Sequence, residues 1–381
     1  MRKNSPPHDF QRFALERRRF LAEGAMFGGA GILAQLGLSR YAAAQNQAPS
    51  SAGTRPARPP RPPEPAESQP APLRDLKGKV AYITAASDGI GLGIARAASL
   101  AGMKVCIGYR NEERLKAALP LFRKDNAGIL PIKHDVTDRE GWARVLETIK
   151  KEFGRLHLLV NNAGSKTRAK LSEVTYEEWD NALAVNFTAT FNSVAVCLPH
   201  MLEHGEGSHI VVTSSMSGLL PGSNLGVYTA TKMGVVGLME ALRIELEGTT
   251  VGTSAYVPGG VNTDNYIGTG QENPFRAKNP PPPPPGGVRP SGPPPGMDPL
   301  EAGQRVLNGV IHNDLFIVTH PEYMPGVQER FDAILASVPV EDTPPPEARV
   351  AGEAWTRRTG IYPREIAHRR KPRKSYRSVT L

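Results

Sequence analysis

The eight residues TAASDGIG, positions 84–91, decide the fold that we expect for this chain. They follow the apolar run KVAYI and lead into GLGIARAASLAG, where apolar residues recur at helical spacing. A strand, a tight glycine-containing turn and a helix that begins at once can bind the pyrophosphate of a dinucleotide, because backbone N–H groups at the positive end of the helix face the phosphates. The turn alone is weak evidence, since only Gly89 and Gly91 carry the pattern.

The rest of the chain repeats this order of strand and helix. Apolar runs of strand length alternate with amphipathic helical patterns, which predicts βαβ units with right-handed crossovers. The strand candidates are residues 79–84, 103–109, 128–134, 157–162, 208–215 and 251–257, and residues 300–320 add one helix and one more strand. The sequence therefore predicts an α/β fold, a doubly wound parallel sheet of about seven strands with helices on both faces.

Two further motifs, VNNAG at 160–164 and YTATK at 228–232, follow the first in a definite order. With these three motifs the chain resembles the short-chain dehydrogenase/reductase family, over residues 76–265 well and over residues 300–336 loosely. The resemblance implies a Rossmann-like domain over residues 74–340. It also implies an NAD(P)-dependent oxidoreductase that interconverts a ketone or aldehyde and an alcohol.

Tyr228 and Lys232 are four residues apart, so on a helix they share one face. A free tyrosine titrates at about pH 10, and a nearby ammonium favours the phenolate, so the pair suits a general acid and base. The resemblance assigns Ser215, at the end of a strand candidate, to the substrate oxygen. It assigns Asn186 to the support of Lys232 through water. The four predicted catalytic residues are therefore Asn186, Ser215, Tyr228 and Lys232.

The resemblance also implies which residues contact the cofactor. They are Thr84, Ser87, Asp88, Gly89, Ile90, Gly91, Arg110, Asp135, Val136, Asn162, Ala163, Gly164, Tyr228, Lys232, Pro258, Gly259, Val261 and Thr263. At the end of the second strand an acid would bind the ribose of NAD, whereas a basic residue accommodates the 2′-phosphate of NADP. Arg110 stands there and favours NADP(H) over NAD(H), although Asp88 fills a turn position where many NADP-using relatives carry Lys or Arg.

One residue departs from the family pattern. The first glycine of the phosphate-binding turn is Ala85 in this chain. A methyl group there crowds the turn if the backbone needs a positive φ, and alanine is the smallest residue that could replace the glycine.

The cysteines and histidines of the sequence argue against a disulfide-rich protein and against a metal site. Cys106 and Cys197 both sit in apolar runs, which predicts buried free thiols and neither a disulfide framework nor a zinc cluster. His200 and His204 are four residues apart, but a third ligand is not evident, so we predict no metal.

The expected partners are a small-molecule carbonyl or alcohol substrate and a second copy of the chain, as a homodimer or homotetramer, with no nucleic acid. The alternative functions are a nucleotide-binding protein without useful turnover and an epimerase or dehydratase of the same family.

Residues 1–44 have the pattern of an export signal. Arg17 and Arg18 are followed after one residue by Phe20 and Leu21, then by a short glycine-rich apolar stretch and the small residues 42–44. The stretch is too short to span a bilayer, which needs roughly 20 apolar residues. It resembles a twin-arginine signal peptide, which exports folded proteins. We therefore expect a periplasmic or secreted enzyme that meets the membrane only transiently during export, with a cytoplasmic location as the alternative.

Three other segments lie outside the expected sheet and helices. Residues 45–73 form a Pro-rich linker that we expect to be disordered, and a Pro-rich loop insertion occupies about 266–299. The tail, 341–381, is expected to be basic and largely disordered. Residues 1–44 carry seven Lys/Arg and three Asp/Glu, and residues 356–381 carry nine Lys/Arg and one acid, so the chain between them has a formal charge of −3 despite the total of +9.

The leader generates a test of export. Because an enzyme that needs a cytoplasmic nucleotide must fold before it leaves, we expect the double variant Arg17→Lys, Arg18→Lys to accumulate as an unprocessed precursor in the cytoplasm. Fractionation and immunoblotting measure the distribution, and Arg12→Lys, a matched substitution in the same leader, serves as the control. Normal export of the double variant contradicts the twin-arginine interpretation.

Overall fold

The structure is a computed structural model, and it describes residues 70–124, 128–263, 296–338, 345–358 and 360–370. The predicted signal peptide and most of the predicted linker lie outside the described residues, as does the greater part of the Pro-rich loop.

A seven-stranded parallel sheet forms the centre of the fold, with the strand order β3-β2-β1-β4-β5-β6-β7. The strands are β1 (Val80–Ile83), β2 (Lys104–Tyr109), β3 (Ile129–Lys133), β4 (Leu158–Asn161), β5 (Ser208–Thr213), β6 (Val251–Val257) and β7 (Phe316–Val318). The order reverses direction between β1 and β4, which is the switch point where ligands bind in such sheets. The predicted α/β, doubly wound architecture is confirmed.

Helices follow the strands. They are α1 (Gly89–Leu100), α2 (Glu112–Lys124), α3 (Gly141–Phe153), α4 (Tyr176–Leu183), α5 (Ala189–Glu203), α6 (Gly226–Glu245), α7 (Pro299–His312), α8 (Met324–Ala336), α9 (Pro346–Arg358) and α10 (Ile361–Arg370). A π-helical turn, Ala184–Thr188, joins α4 to α5, and a short 3-10 turn, Met216–Gly218, follows β5.

The two faces of the sheet each bury an apolar layer. All four residues of β1 are buried, and they alternate between the layers: Ala81 and Ile83 pack with α1 and α7, whereas Val80 and Tyr82 pack with α3, α5 and α6. A strand that is covered on both faces needs an unbroken apolar run, which explains the sequence KVAYI before the turn.

Helices α1 and α7 pack closely enough for their backbones to touch. A Cβ atom at Gly93 would lie 1.8 Å from the carbonyl oxygen of Pro299, so a side chain there is excluded. Asp298 caps α7 by accepting hydrogen bonds from the amides of Leu300 and Glu301. The chain therefore re-enters the domain immediately after the Pro-rich loop, and α7 begins at the last residue of the predicted insertion.

Parts of the predicted linker and of the predicted tail are ordered among the described residues. Leu73, at the end of the predicted linker, is buried in the layer that contains α1. In the predicted tail, α10 packs on the domain: Ile361 is buried, and His368 and Arg369 pair with Asp314 at 3.3 and 3.0 Å. Periodicity did not reveal this helix because its docking rests on one apolar residue and on ion pairs with residues distant in sequence.

Candidate active site

The turn after β1 meets the amino end of α1 at the switch point. Asp88 accepts a hydrogen bond from the Gly89 amide at 2.7 Å and so caps the helix that begins at Gly89. A Cβ atom at Gly91 would lie 2.4 Å from the Ala85 carbonyl oxygen, so the turn closes only with glycine there. Ser87 is buried, and Ile90 packs against the core. The positive end of α1 therefore opens onto a tight turn, which is the arrangement that a pyrophosphate needs.

Ala85 has a positive φ, the backbone conformation in which its methyl group was expected to crowd the turn. Its φ is +50°, in the left-handed region. This region costs an L-residue about 1–2 kcal/mol, a cost that glycine does not carry. The neighbouring Ala86 is fully buried, and its amide donates to the Gly108 carbonyl at 2.9 Å, so the strained residue is held between fixed partners.

Two arginines surround the adenosine side of the turn. Arg110 pairs with Asp135 at 3.3 Å, and Arg114 pairs with Asp88 at 2.9 Å. Burial opposes the ionisation of Asp135, but hydrogen bonds from Thr137 and Arg110 outweigh it and lower the pKa of the carboxyl. Arg114 was missed in the sequence because it is the second arginine after β2 and reaches the turn only once α2 has formed.

The ends of β1, β4 and β5 are tied together by side chains. The Thr84 hydroxyl oxygen accepts from the amides of Asn162 and Ala163 at 2.8 and 3.0 Å. Asn162 donates to the Thr84 carbonyl and accepts from the Thr213 hydroxyl at 3.2 Å. Val136, at the end of β3, is buried in the layer on the α3 side. These residues hold the carboxyl edge of the sheet in one arrangement.

Lys232 lies inside the protein at this edge, with 3% of its surface exposed. Its Nζ donates to the Thr213 carbonyl at 2.8 Å and lies 5.7 Å from the centre of the Tyr228 ring. Burial lowers the pKa of the Lys232 ammonium to about 8. An ammonium carries three donors, so in the described part of the chain two remain for a bound group such as the hydroxyls of a ribose.

Tyr228 is half-buried beside Ser215, which precedes the 3-10 turn after β5. Burial raises the pKa of the Tyr228 hydroxyl, while a hydrogen bond with Ser215 and the charge of Arg168 oppose the rise. The net direction is upward, opposite to the expectation that the Lys232 ammonium lowers the pKa of Tyr228. Tyr228 therefore keeps its proton at neutral pH and can donate it.

Asn186 lies in the π-helical turn and is buried. Its Nδ2 donates to the Ser165 carbonyl at 2.9 Å and to the Thr231 hydroxyl at 3.1 Å, while its Oδ1 accepts from the Ser165 amide at 2.7 Å. Asn186 Oδ1 and Lys232 Nζ each lie 3.4 Å from the place where Gly164 would carry a Cβ. All four predicted catalytic residues are thus brought to one edge, with Asn186 fixing the loop after β4.

The turn after β6 completes the site. Thr263 lies over Gly89, and the Pro258 carbonyl accepts from the Met216 amide at 2.8 Å. His320 accepts from the Gly259 amide at 2.9 Å and donates to the Gly260 carbonyl at 3.0 Å. Val261 is buried and pairs with Met297 in a short parallel bridge. His320 was missed because its role depends on β7 lying next to β6.

His200 and His204 lie away from these residues, at the opposite end of β4. Their rings are 5.2 Å apart, and both contact the backbone of Leu156. Among the described residues, no group of three or more potential metal ligands is found.

Residues 79–273 match the sequence profile of the short chain dehydrogenase family. The chain belongs to the short-chain dehydrogenase family. Ala85 is therefore a departure from the usual turn sequence within a member of this family.

Relatives and solved structures agree with this membership. A C alpha-dehydrogenase from Sphingobium sp. (strain NBRC 103272 / SYK-6) is 28% identical over 302 residues, which cover 76% of this chain and 97% of that protein. A short-chain dehydrogenase/reductase from Burkholderia phymatum, solved in complex with NAD, is 27% identical with a TM-score of 0.62, covering 71% of this chain and 99% of its own. The apo form of LigD from Sphingobium sp. strain SYK-6 is 27% identical with a TM-score of 0.58, covering 70% and 99%.

The backbone of Ala85 generates a prediction about stability. Replacing Ala85 with glycine removes a strain of about 1–2 kcal/mol from the folded state. It also costs about 0.4–1 kcal/mol, because glycine gives the unfolded chain more conformational entropy. We therefore expect Ala85→Gly to be neutral or to stabilise the protein by about 1 kcal/mol. Ala117 is exposed on α2, and Ala117→Gly should destabilise by about 1 kcal/mol. Urea unfolding measures both, and equal losses in the two variants would refute the strained conformation.

Proposed function

We propose that this short-chain dehydrogenase is an NAD(P)-dependent oxidoreductase that interconverts a ketone or aldehyde and the corresponding alcohol. The observation that carries the proposal is the juxtaposition of Tyr228, Ser215 and the buried ammonium of Lys232 at the switch point of the sheet. A nicotinamide nucleotide supplies or accepts the hydride when bound, and the tight turn at Gly91 with the free donors of Lys232 fits its pyrophosphate and ribose.

In the direction of reduction, Tyr228 gives its hydroxyl proton to the substrate oxygen as the carbonyl carbon gains a hydride. The phenolate that remains is stabilised by the Lys232 ammonium and by the hydrogen bond with Ser215, which lies near enough to orient the substrate oxygen as well. In the direction of oxidation the same phenolate removes the hydroxyl proton of the alcohol. Because burial favours the neutral tyrosine, we infer that oxidation accelerates with rising pH while reduction does not.

The acid and base role is tested by Tyr228→Phe. Removal of the proton donor should lower kcat by about 10²- to 10⁴-fold while nucleotide binding is retained. Activity is followed by the absorbance of reduced nicotinamide with a panel of aldehydes and ketones, and nucleotide binding by fluorescence. Tyr176→Phe, at a side chain that is 91% exposed, is the matched control. Undiminished activity in Tyr228→Phe rejects the mechanism, and a wild-type protein that binds nucleotide but turns over no carbonyl compound favours the rival, a binding protein.

We also propose that NADP(H) is preferred to NAD(H). Support comes from Arg110 and Arg114, two arginines beside the turn. The acids near them are already paired, Asp135 with Arg110 and Asp88 with Arg114. Guanidinium groups suit a phosphate because their donors are planar and fixed. The NAD in the Burkholderia phymatum structure makes NAD(H) the other outcome.

The preference is tested by a pair of variants at one contact. Arg114→Gln should weaken NADP(H) about tenfold or more through the loss of a charge-assisted contact, and leave NAD(H) unchanged. Asp88→Asn keeps the helix cap and removes a negative charge, so it should strengthen NADP(H). Dissociation constants are measured by nucleotide fluorescence. Mass spectrometry identifies the nucleotide that is released on denaturation from protein purified without added nucleotide. If NAD(H) is released and neither variant discriminates, the preference is wrong.

Two wider proposals accompany this function. We propose that the chain pairs with itself through α5 and α6, and Phe191, an aromatic side chain on α5 that is 56% exposed, supports such a contact. We further propose that the enzyme is exported with its nucleotide bound, which accords with free, buried Cys106 and Cys197.

A further inference from the structure

The loop after β4 places two cationic side chains, those of Lys166 and Arg168, near the candidate active site. Lys166 and Arg168 are exposed, while Thr167 between them is buried. The exposed, buried, exposed order of residues 166–168 places Lys166 and Arg168 on the side opposite to Thr167, towards solvent.

This loop is fixed at both ends. On one side, Ser165 exchanges backbone hydrogen bonds with the Asn186 side chain at 2.7 and 2.9 Å. On the other, Ala169 forms a parallel bridge with Leu225, the residue before α6. Leu171 also lies against Gly226 in the first turn of α6. The two cations are thus held at a set distance from Tyr228 on the same helix, and the loop cannot carry them away without breaking these contacts.

The positive charges of Lys166 and Arg168 lie close enough to act on Tyr228. Lys166 Nζ lies 5.6 Å from the centre of the Tyr228 ring, close to the distance of Lys232 Nζ. Lys166 is exposed as a whole residue, but its ammonium lies against the protein beside Tyr228. This local burial, followed by the charge of Arg168, lowers the pKa of the ammonium to about 8, and the charge of Arg168 also acts on Tyr228. Within the described ranges neither cation forms an ion pair or a hydrogen bond.

By contrast, the next cation of the loop is neutralised. Lys170 pairs with Glu173 at 2.9 Å and points away to solvent. Two adjacent positive charges without a counter-ion raise the local potential and concentrate anions at the site. A surface this close to the reacting oxygen meets the substrate. The described ranges supply no counter-ion to Lys166 and Arg168, so the substrate itself is the best source of one.

We propose that Lys166 and Arg168 form an anion subsite, and that the substrate of this enzyme carries a carboxylate that binds there while its carbonyl or alcohol group contacts Tyr228 and Ser215. The proposal rests on the proposed function, since it names the class of substrate for that same site. Lys166 and Arg168 are specificity-determining residues in this arrangement. They hold the far end of the substrate and take no part in the transfer of the proton.

The experiment uses matched acid and ester probes on the full chain with its nucleotide: 4-acetylbenzoate with its methyl ester, and 4-oxopentanoate with its methyl ester. We expect kcat/KM for an acid to exceed that for its ester by about tenfold or more, the effect of one charge-assisted hydrogen bond. The double variant Lys166→Gln, Arg168→Gln should remove this advantage, mainly through KM, and leave the esters unchanged. Lys170→Gln, the neutralised lysine of the same loop, should alter neither probe.

Three results overturn the subsite: equal values for acid and ester in the wild-type enzyme, equal loss of both in the double variant, and the same loss of acid preference in Lys170→Gln. An equal loss would mean that the cations act only on Tyr228. If no probe is turned over, the proposed function fails separately, and titration calorimetry of 4-acetylbenzoate into the nucleotide-saturated protein decides the subsite. Binding of the acid that the double variant abolishes sustains it, and absence of binding rejects it.

Discussion

The burial of the Lys232 ammonium is the constraint on which the rest of the site depends. A charge inside a protein is tolerated only when fixed polar groups replace water around it. Here the Thr213 carbonyl accepts from Nζ at 2.8 Å, and it can do so because the pairing of β5 with β4 ends one residue earlier, at Asn161 and Val212. The seven strands run in one direction, so their carboxyl ends supply such groups along a single edge. The parallel sheet is thus the reason why a lysine can be buried next to a tyrosine.

Much of the fold follows from local patterns. Apolar runs such as KVAYI predict strands buried on both faces, and the order of the three motifs places them at one edge before any coordinate is known. The four catalytic candidates come together as expected, because each sits at the end of a strand or within one turn of a helix that returns to that edge. A methyl group at Ala85 was expected to crowd the turn if the backbone has a positive φ there, and the φ of Ala85 is positive.

What the sequence did not indicate depends on pairs of residues far apart in the chain. Arg114 reaches Asp88 only because α2 lies beside the turn, and His320 holds residues 259–260 only because β7 is the neighbour of β6. The basic composition of the tail predicted disorder, yet α10 docks through Ile361, His368 and Arg369. Such contacts carry no periodicity, so a single sequence gives no signal for them.

The docking of α10 has a consequence for synthesis on the ribosome. Asp314 lies in the turn before β7 with a side chain that is 4% exposed, and its partners His368 and Arg369 are translated only after every strand of the sheet. The nascent chain therefore contains all the strands of the sheet before it can neutralise this carboxylate, and α10 packs on the domain after the sheet. Synthesis of α10, and not merely of the catalytic motifs, sets the moment at which the buried Asp314 gains its partners.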